Sequence, residues 1–193
     1  YVGDPVAAVA AETPEAAAEA AARVEVEYEP LPPIFDVTEG IRDDAPLVHP
    51  ELDEYERVPW ITPRAGSNVA NHLKIRKGDY HAALKECAHV VENTFRVPQV
   101  QHVPMEPHVV VARFDKAGQV QVITSAQSPF TVRHLLSACF GLSHGDVRVQ
   151  VPHVGGGFGG KAGVNLEPIT VALAMRAGCR WVKLEATREE EFY

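Results

Sequence analysis

The chain has 193 residues, 46% of them hydrophobic and 23% charged, enough apolar material for one full domain or two modest ones. A formal net charge of -8, with no basic cluster longer than Lys74-Ile75-Arg76-Lys77, excludes nucleic acid and anionic membrane surfaces as general partners and leaves a small molecule as the expected ligand. Cys87, Cys139 and Cys179 stand far apart with no C-x-x-C pair, which excludes a disulfide framework, a structural zinc site and an iron-sulfur ligand set, and fits a reducing, cytoplasmic compartment.

The chain starts at Tyr1 without a methionine or a signal peptide, in what reads as the middle of a domain, so a fragment or processed piece is expected. Pro5 to Ala10 is an apolar strand. Thr13-Pro14-Glu15 places a capping hydroxyl before a proline at the first helical position, and an alanine-rich helix runs to Arg23. Val24-Glu25-Val26-Glu27-Tyr28 alternates as a half-buried strand, and Pro30, Pro32 and Pro33 end this unit. The following residues, rich in Pro, Asp and Glu, have no period and read as a long connection.

Order resumes near Lys74 with a short strand, a helix from Asp79 to Cys87 and a strand from His89 to Val97. Val109 to Phe114 and Val120 to Thr124 form a hairpin about Lys116-Ala117-Gly118. From there the pattern is α/β: a helix from Ser128 to Phe140 stopped by Gly141, a strand from Asp146 to Val151, a helix from Glu167 to Ala177 and a strand from Trp181 to Ala186. Thr187-Arg188-Glu189-Glu190-Glu191 looks like the start of another helix, so a domain that continues is expected. No apolar run is long enough to span a bilayer.

The strand ending at Val151 hands over to Gly155-Gly156-Gly157-Phe158-Gly159-Gly160-Lys161, with five glycines within six positions. Glycine there bares backbone amides and lets an anion approach closely. The run satisfies G-x-G-x-x-G, but no early βαβ unit surrounds it. It also satisfies G-x-x-x-x-G-K, but Ala162 stands where a Walker loop needs a hydroxyl for magnesium. A nucleotide-binding module with Gly155 to Lys161 as its phosphate loop therefore stays the alternative, and a tight turn with close backbone packing is the plain one.

Gln127, in Ser125-Ala126-Gln127-Ser128-Pro129-Phe130, sits between a strand and a helix N-terminus, where an amide can donate to an oxo or hydroxo group. By itself this stretch reads better as a capping turn made by Ser128 with Pro129 in the first turn. If the two strands are parallel, Gln127 and Phe158 reach one sheet edge. In Gln101-His102-Val103-Pro104-Met105-Glu106-Pro107-His108, the prolines break any metal-binding face, and His and Glu holding the turn by hydrogen bonds is the better reading. No serine-histidine-aspartate arrangement, G-x-S-x-G or paired carboxylates appear, so catalysis by side chains alone is not visible and a cofactor would explain the gap.

Together these stretches resemble the large, molybdenum-binding subunit of the xanthine dehydrogenase and aldehyde oxidase family, the molybdenum hydroxylases. Tyr1 to Val9, the alanine helix and Val24 to Leu31 look like the end of the family's α/β hammerhead domain, and Gln101 to Pro107 matches an early signature of its molybdopterin-binding region. Gln127 with Pro129, Phe130 and Arg133, and the run Gly155 to Lys161, are similar to the two loops beside the metal. Thr187 to Phe192 matches the stretch that closes this region.

The resemblance implies an α+β, mixed α/β fold: residues 1–45 as the C-terminal part of the hammerhead domain, 46–73 as linker and 74–193 as the N-terminal part of the molybdopterin-binding domain. It implies a molybdenum-molybdopterin cofactor, in plain or cytosine dinucleotide form. Gln127 would bond the apical oxo ligand and Phe158 would lie at the metal, with the amides of Gly156, Gly157, Gly159 and Gly160 near its oxygens. It further implies hydroxylation of an aldehyde, N-heteroaromatic or aromatic acyl-CoA substrate with oxygen from water, and iron-sulfur and FAD units in partner subunits of an oligomer. The family's general-base glutamate lies downstream of the matched region, so this stretch alone is expected to be inactive. Ala162 stands where the xanthine-oxidising branch has a glutamate, which argues against purine, and Glu167 looks more like the acyl-CoA, nicotinate or aldehyde branches.

Overall fold

The computed structural model describes residues 2–57 and 61–193. The chain divides into two compact units, residues 1–25 with 97–193, and residues 26–96.

In the first unit, helix α1 (Pro14–Ala22) starts where Thr13 accepts the Ala16 N–H at 3.2 Å, with Pro14 in the first turn where no N–H is needed. A four-stranded sheet follows, from β1 (Val109–Phe114), β2 (Val120–Thr124), β3 (Val147–Gln150) and β4 (Val182–Glu185), in the order β3-β2-β1-β4. The hairpin between β1 and β2 has the expected bounds. Asp115 Oδ1 accepts the N–H groups of Ala117 and Gln119 at 2.9 and 3.0 Å, and Gly118 takes φ 82°, the left-handed turn position that favours glycine.

β1 runs antiparallel to β2 and β4, whereas β2 and β3 are parallel, from Val120 opposite Val147 to Ile123 opposite Gln150. Their connection is α4 (Pro129–Phe140), which Gly141 ends in left-handed conformation, with the Leu142 N–H closing on Ser137 O at 2.9 Å. Ser128 does not cap α4 through its side chain as expected; its hydroxyl pairs with that of Thr131 at 2.8 Å. Helix α5 (Glu167–Arg176) follows the glycine run, and a 3-10 turn, Glu190–Phe192, replaces the expected final helix start. Val110, Ala112, Val120 and Val122 form one core with Val132 and Leu136 of α4 and Val171 and Ala174 of α5. Full burial of each valine or leucine contributes about 1.5–3 kcal/mol.

The second unit contains α2 (Val37–Gly40) and α3 (Tyr80–Glu86), the latter capped by Asp79, which accepts the Ala82 N–H at 3.0 Å. Four expected strands, at Pro5 to Ala10, Val24 to Tyr28, near Lys74 and His89 to Val97, are not strands. Val24 to Tyr28 does alternate, but no described segment pairs with any of the four, and Val90, Val91, Phe95 and Val97 are all exposed. A strand needs a neighbour for its N–H and C=O groups, and the pattern alone cannot supply one.

Candidate functional site

Parallel pairing of β2 and β3 sends both chains out at the same edge of the sheet, as the sequence requires if Gln127 and the glycine run are to meet. They do meet. The Gln127 N–H donates to Lys161 O at 2.7 Å, and its side-chain Oε1 accepts the N–H groups of Gly159 at 3.0 Å and Lys161 at 3.3 Å. Two donors converging on one amide atom identify it as oxygen, so the Nε2 group is the outward end of the side chain. Among the described residues, Nε2 has no protein acceptor.

The glycines are required by this contact. A Cβ on Gly157 would lie 2.4 Å from Gln127 Oε1, and Gly156 and Gly159 both have φ 99°. Between them Phe158 also takes a left-handed φ of 52°, unfavourable by roughly 1–2 kcal/mol for a residue with a Cβ, and its ring is 74% exposed. The rest of the loop uses its own amides: Gly160 donates to Gly157 O at 2.8 Å and Ala162 to Gly159 O at 3.2 Å. The consecutive N–H groups of Gly156, Gly157 and Phe158 donate to nothing among the described residues, although Gly157 is buried. Adjacent unpaired donors beside an outward amide can receive oxygen atoms or an anion.

Behind the loop the polar groups are paired. Lys161 is 1% exposed, and its ammonium donates to Glu106 Oε2 at 2.7 Å, Glu106 O at 2.8 Å and Pro107 O at 3.2 Å. With all three donors spent inside the protein, Lys161 has none for a phosphate, which removes the phosphate-loop reading of Gly155 to Lys161. Burial pushes the Glu106 carboxyl up, but the Lys161 ammonium and the Gly155 N–H at 2.8 Å outweigh it and hold the group below its usual range.

His108 meets Glu191 Oε1 through both its backbone N–H, at 2.5 Å, and Nδ1, at 2.7 Å. Its Nε2 lies 3.2 Å from Gly160 O and 2.6 Å from the Asn165 amide nitrogen. Burial raises the Glu191 carboxyl, and the bonds from His108 bring it below the ordinary value. Thus Glu106 and His108 hold the turn by hydrogen bonds, as read from the prolines, and His102 stands beside Gly160, where a Cβ would come within 3.2 Å of its ring. Among the described residues no group of His, Cys, Asp and Glu could hold a metal ion directly.

Glu167 is buried at 3%, where it accepts from Thr124 Oγ1 at 2.6 Å and the Asn165 N–H at 2.8 Å, so it secures the start of α5. Sequence reasoning missed Glu191, Asn165 and Arg188, whose guanidinium donates to Met105 O at 2.9 Å. The signal for Arg188 and Glu191 was the charged run from Arg188 to Glu191, which reads as a solvated helix start unless the turn it closes upon is known; Asn165 carried no signal of its own.

Residues 61–193 match the molybdopterin cofactor-binding domain family. The chain is 31% identical over 188 residues to the nicotinate dehydrogenase large molybdopterin subunit of Eubacterium barkeri, covering 97% of this chain and 40% of that one. It is 32% identical over 214 residues to the probable hypoxanthine oxidase XdhD of Escherichia coli K12, covering 100% of this chain and 22% of that one. The crystal structure of a Cu,Mo-CO dehydrogenase superposes with a TM-score of 0.73 at 30% identity, over 92% of this chain and 22% of that one. The chain therefore spans less than half the length of these relatives.

Proposed function

From the premise that the chain belongs to the molybdopterin cofactor-binding domain family, we propose that it forms one wall of a molybdenum-molybdopterin site in an oxidoreductase of the xanthine dehydrogenase and aldehyde oxidase type. The observation that carries this reading is the Gln127 amide. Two N–H groups of the glycine loop hold its oxygen, so its NH2 group faces outward beside the unused N–H groups of Gly156, Gly157 and Phe158. These residues fit the cofactor, because oxygen atoms at its metal need hydrogen-bond donors and the loop offers an outward amide and three unused N–H groups.

When bound, the molybdenum-pterin group supplies a two-electron centre at which a substrate carbon takes up oxygen from water. The chain contributes binding and orientation. Gln127 Nε2 would donate to an oxygen of the cofactor, and the N–H groups of Gly156, Gly157 and Phe158 would hold further oxygen atoms of the bound group. Gly159 and Gly160 act behind them, Gly159 by orienting Gln127 and Gly160 by closing the turn on Gly157. The exposed Phe158 ring forms an apolar face beside these donors. We assign no general base to this chain; that role belongs to a glutamate outside it.

Ala162 leaves the position after Lys161 without a carboxylate, which favours an aldehyde, N-heteroaromatic or aromatic acyl-CoA substrate over a purine. We assign 1–45 to the end of a hammerhead domain, 46–73 to a linker and 74–193 to the pterin-binding part. Electrons leave through iron-sulfur clusters and FAD in partner subunits of a cytoplasmic oligomer, and the pterin is in plain or cytosine dinucleotide form. Among the described residues no helix is long and apolar enough to cross a membrane.

The test is Gln127→Ala in the complete native protein. Loss of one preorganised donor is expected to lower turnover about 10²–10³-fold, with metal and pterin still present by elemental analysis and fluorescence of the released pterin. A wild-type protein that is fully active without molybdenum or pterin would overturn the proposal.

A further inference from the structure

Glu106 belongs neither to the sheet nor to a helix, yet it touches both ends of the glycine run. Its Oε2 accepts the Gly155 N–H at 2.8 Å and the Lys161 ammonium at 2.7 Å. Its backbone joins the same two residues: the N–H donates to Gly155 O at 3.3 Å, and the carbonyl accepts from Lys161 Nζ at 2.8 Å. The approach is so close that a Cβ on Gly155 would sit 2.6 Å from the Glu106 Cβ. One residue thus closes the run from Gly155 to Lys161 into a loop.

Lys161 is also the residue that grips Gln127, through Lys161 O at 2.7 Å and its N–H at 3.3 Å. The contacts therefore run from the Glu106 carboxylate, through the Lys161 ammonium and backbone, to the Gln127 side-chain oxygen. The Lys161 side chain is fully buried, whereas Glu106 retains 32% exposure. An ammonium in that place needs its counter-charge, and the carboxylate can reach it only with the loop in this shape. A carboxylate needed for folding alone would not have to bind both ends of a loop whose Gly156, Gly157 and Phe158 N–H groups have no acceptor among the described residues.

We propose that Glu106 is a positioning residue. By clasping Gly155 to Lys161, it fixes the direction of Gln127 Nε2 and of the free N–H groups of Gly156, Gly157 and Phe158. The clasp is a property of the chain, and its consequence for the metal rests on the function proposed above.

The test uses the complete native protein with Glu106→Gln, and with Glu106→Gln combined with Lys161→Met. The double variant removes both charges and so avoids stranding a buried cation. The first readout is amide hydrogen exchange, which needs no cofactor. Exchange at Gly159 and Lys161 is expected to rise about tenfold or more in both variants, while β1 and β2 keep their protection. The second readout is the electron paramagnetic resonance signal of the bound molybdenum, together with kcat and KM. Metal content should be retained, the signal should shift, and kcat should fall about tenfold or more with KM nearly unchanged.

The double variant is expected to recover the wild-type thermal midpoint without recovering the signal or kcat. Recovery of all three together would mean a merely structural role and overturn the proposal, as would wild-type exchange at Gly159 and Lys161 in Glu106→Gln. Should Glu106→Gln fail to fold, the double variant carries both readouts. Should the wild-type protein hold no pterin or metal, the proposed function fails, and the exchange readout alone judges the clasp.

Discussion

Residues 97–193 bury Val110 and Val122 of the sheet almost completely together with Val132, Leu136 and Val171 of its helices, whereas among the described residues of 26–96 only Gly40 is buried. In the latter, order comes from amides. Asn68 donates to Gly40 O and Pro46 O, both at 2.9 Å, and accepts the Val48 N–H at 2.8 Å, so a single side chain joins three backbone groups. A core spreads its stabilisation over many contacts, while a polar hub concentrates it in one residue. The glycine loop combines the two: it stands on the apolar sheet but takes its shape from Glu106, Lys161 and Gln127.

The contrast can be broken most strongly at Leu136. Leu136→Ala should destabilise the sheet unit by about 2–5 kcal/mol, read from the urea midpoint, with hydrogen exchange rising across β1 to β4. A change confined to α4 would show that the helix is not part of one core. Asn68→Ala removes a hub instead, and a local loss of about 1–3 kcal/mol is expected, seen as faster exchange at the Val48 amide. An unaltered Val48 amide would mean that the surrounding backbone holds itself.

Acid has the smallest effect and sharpens the comparison at the loop. Glu106 and Glu191 titrate below their ordinary 4.5 in the folded chain, so their contribution is complete above that value and is lost as pH falls through the lower, folded one. The thermal midpoint should therefore lose this contribution only in acid, and Glu191→Gln should make that fall shallower. An equally steep fall in Glu191→Gln would assign the acid sensitivity elsewhere.

Much of the fold was legible because local rules coincide with it. The β1–β2 hairpin, the Thr13 cap and the Gly141 stop each depend on residues a few positions apart. The meeting of Gln127 with the glycine run was also legible, since a strand, helix and parallel strand bring two loops to one edge. The strands expected at Val24 to Tyr28 and His89 to Val97 failed because alternation specifies faces and not a partner.

Lys161 marks the boundary between the two kinds of information. A lysine after a glycine run is expected to face solvent or a phosphate, and nothing nearby contradicts that. Its burial depends on Glu106 and Pro107, which are distant in sequence and reach it only across the folded sheet edge. By itself, the sequence determined which backbone could approach an anion, because only glycine leaves that space and those φ values open. Tertiary structure alone decided that the neighbouring cation is neutralised and that Gln127 is the donor left facing outward, because pairing of charges and amides is settled by distance in space.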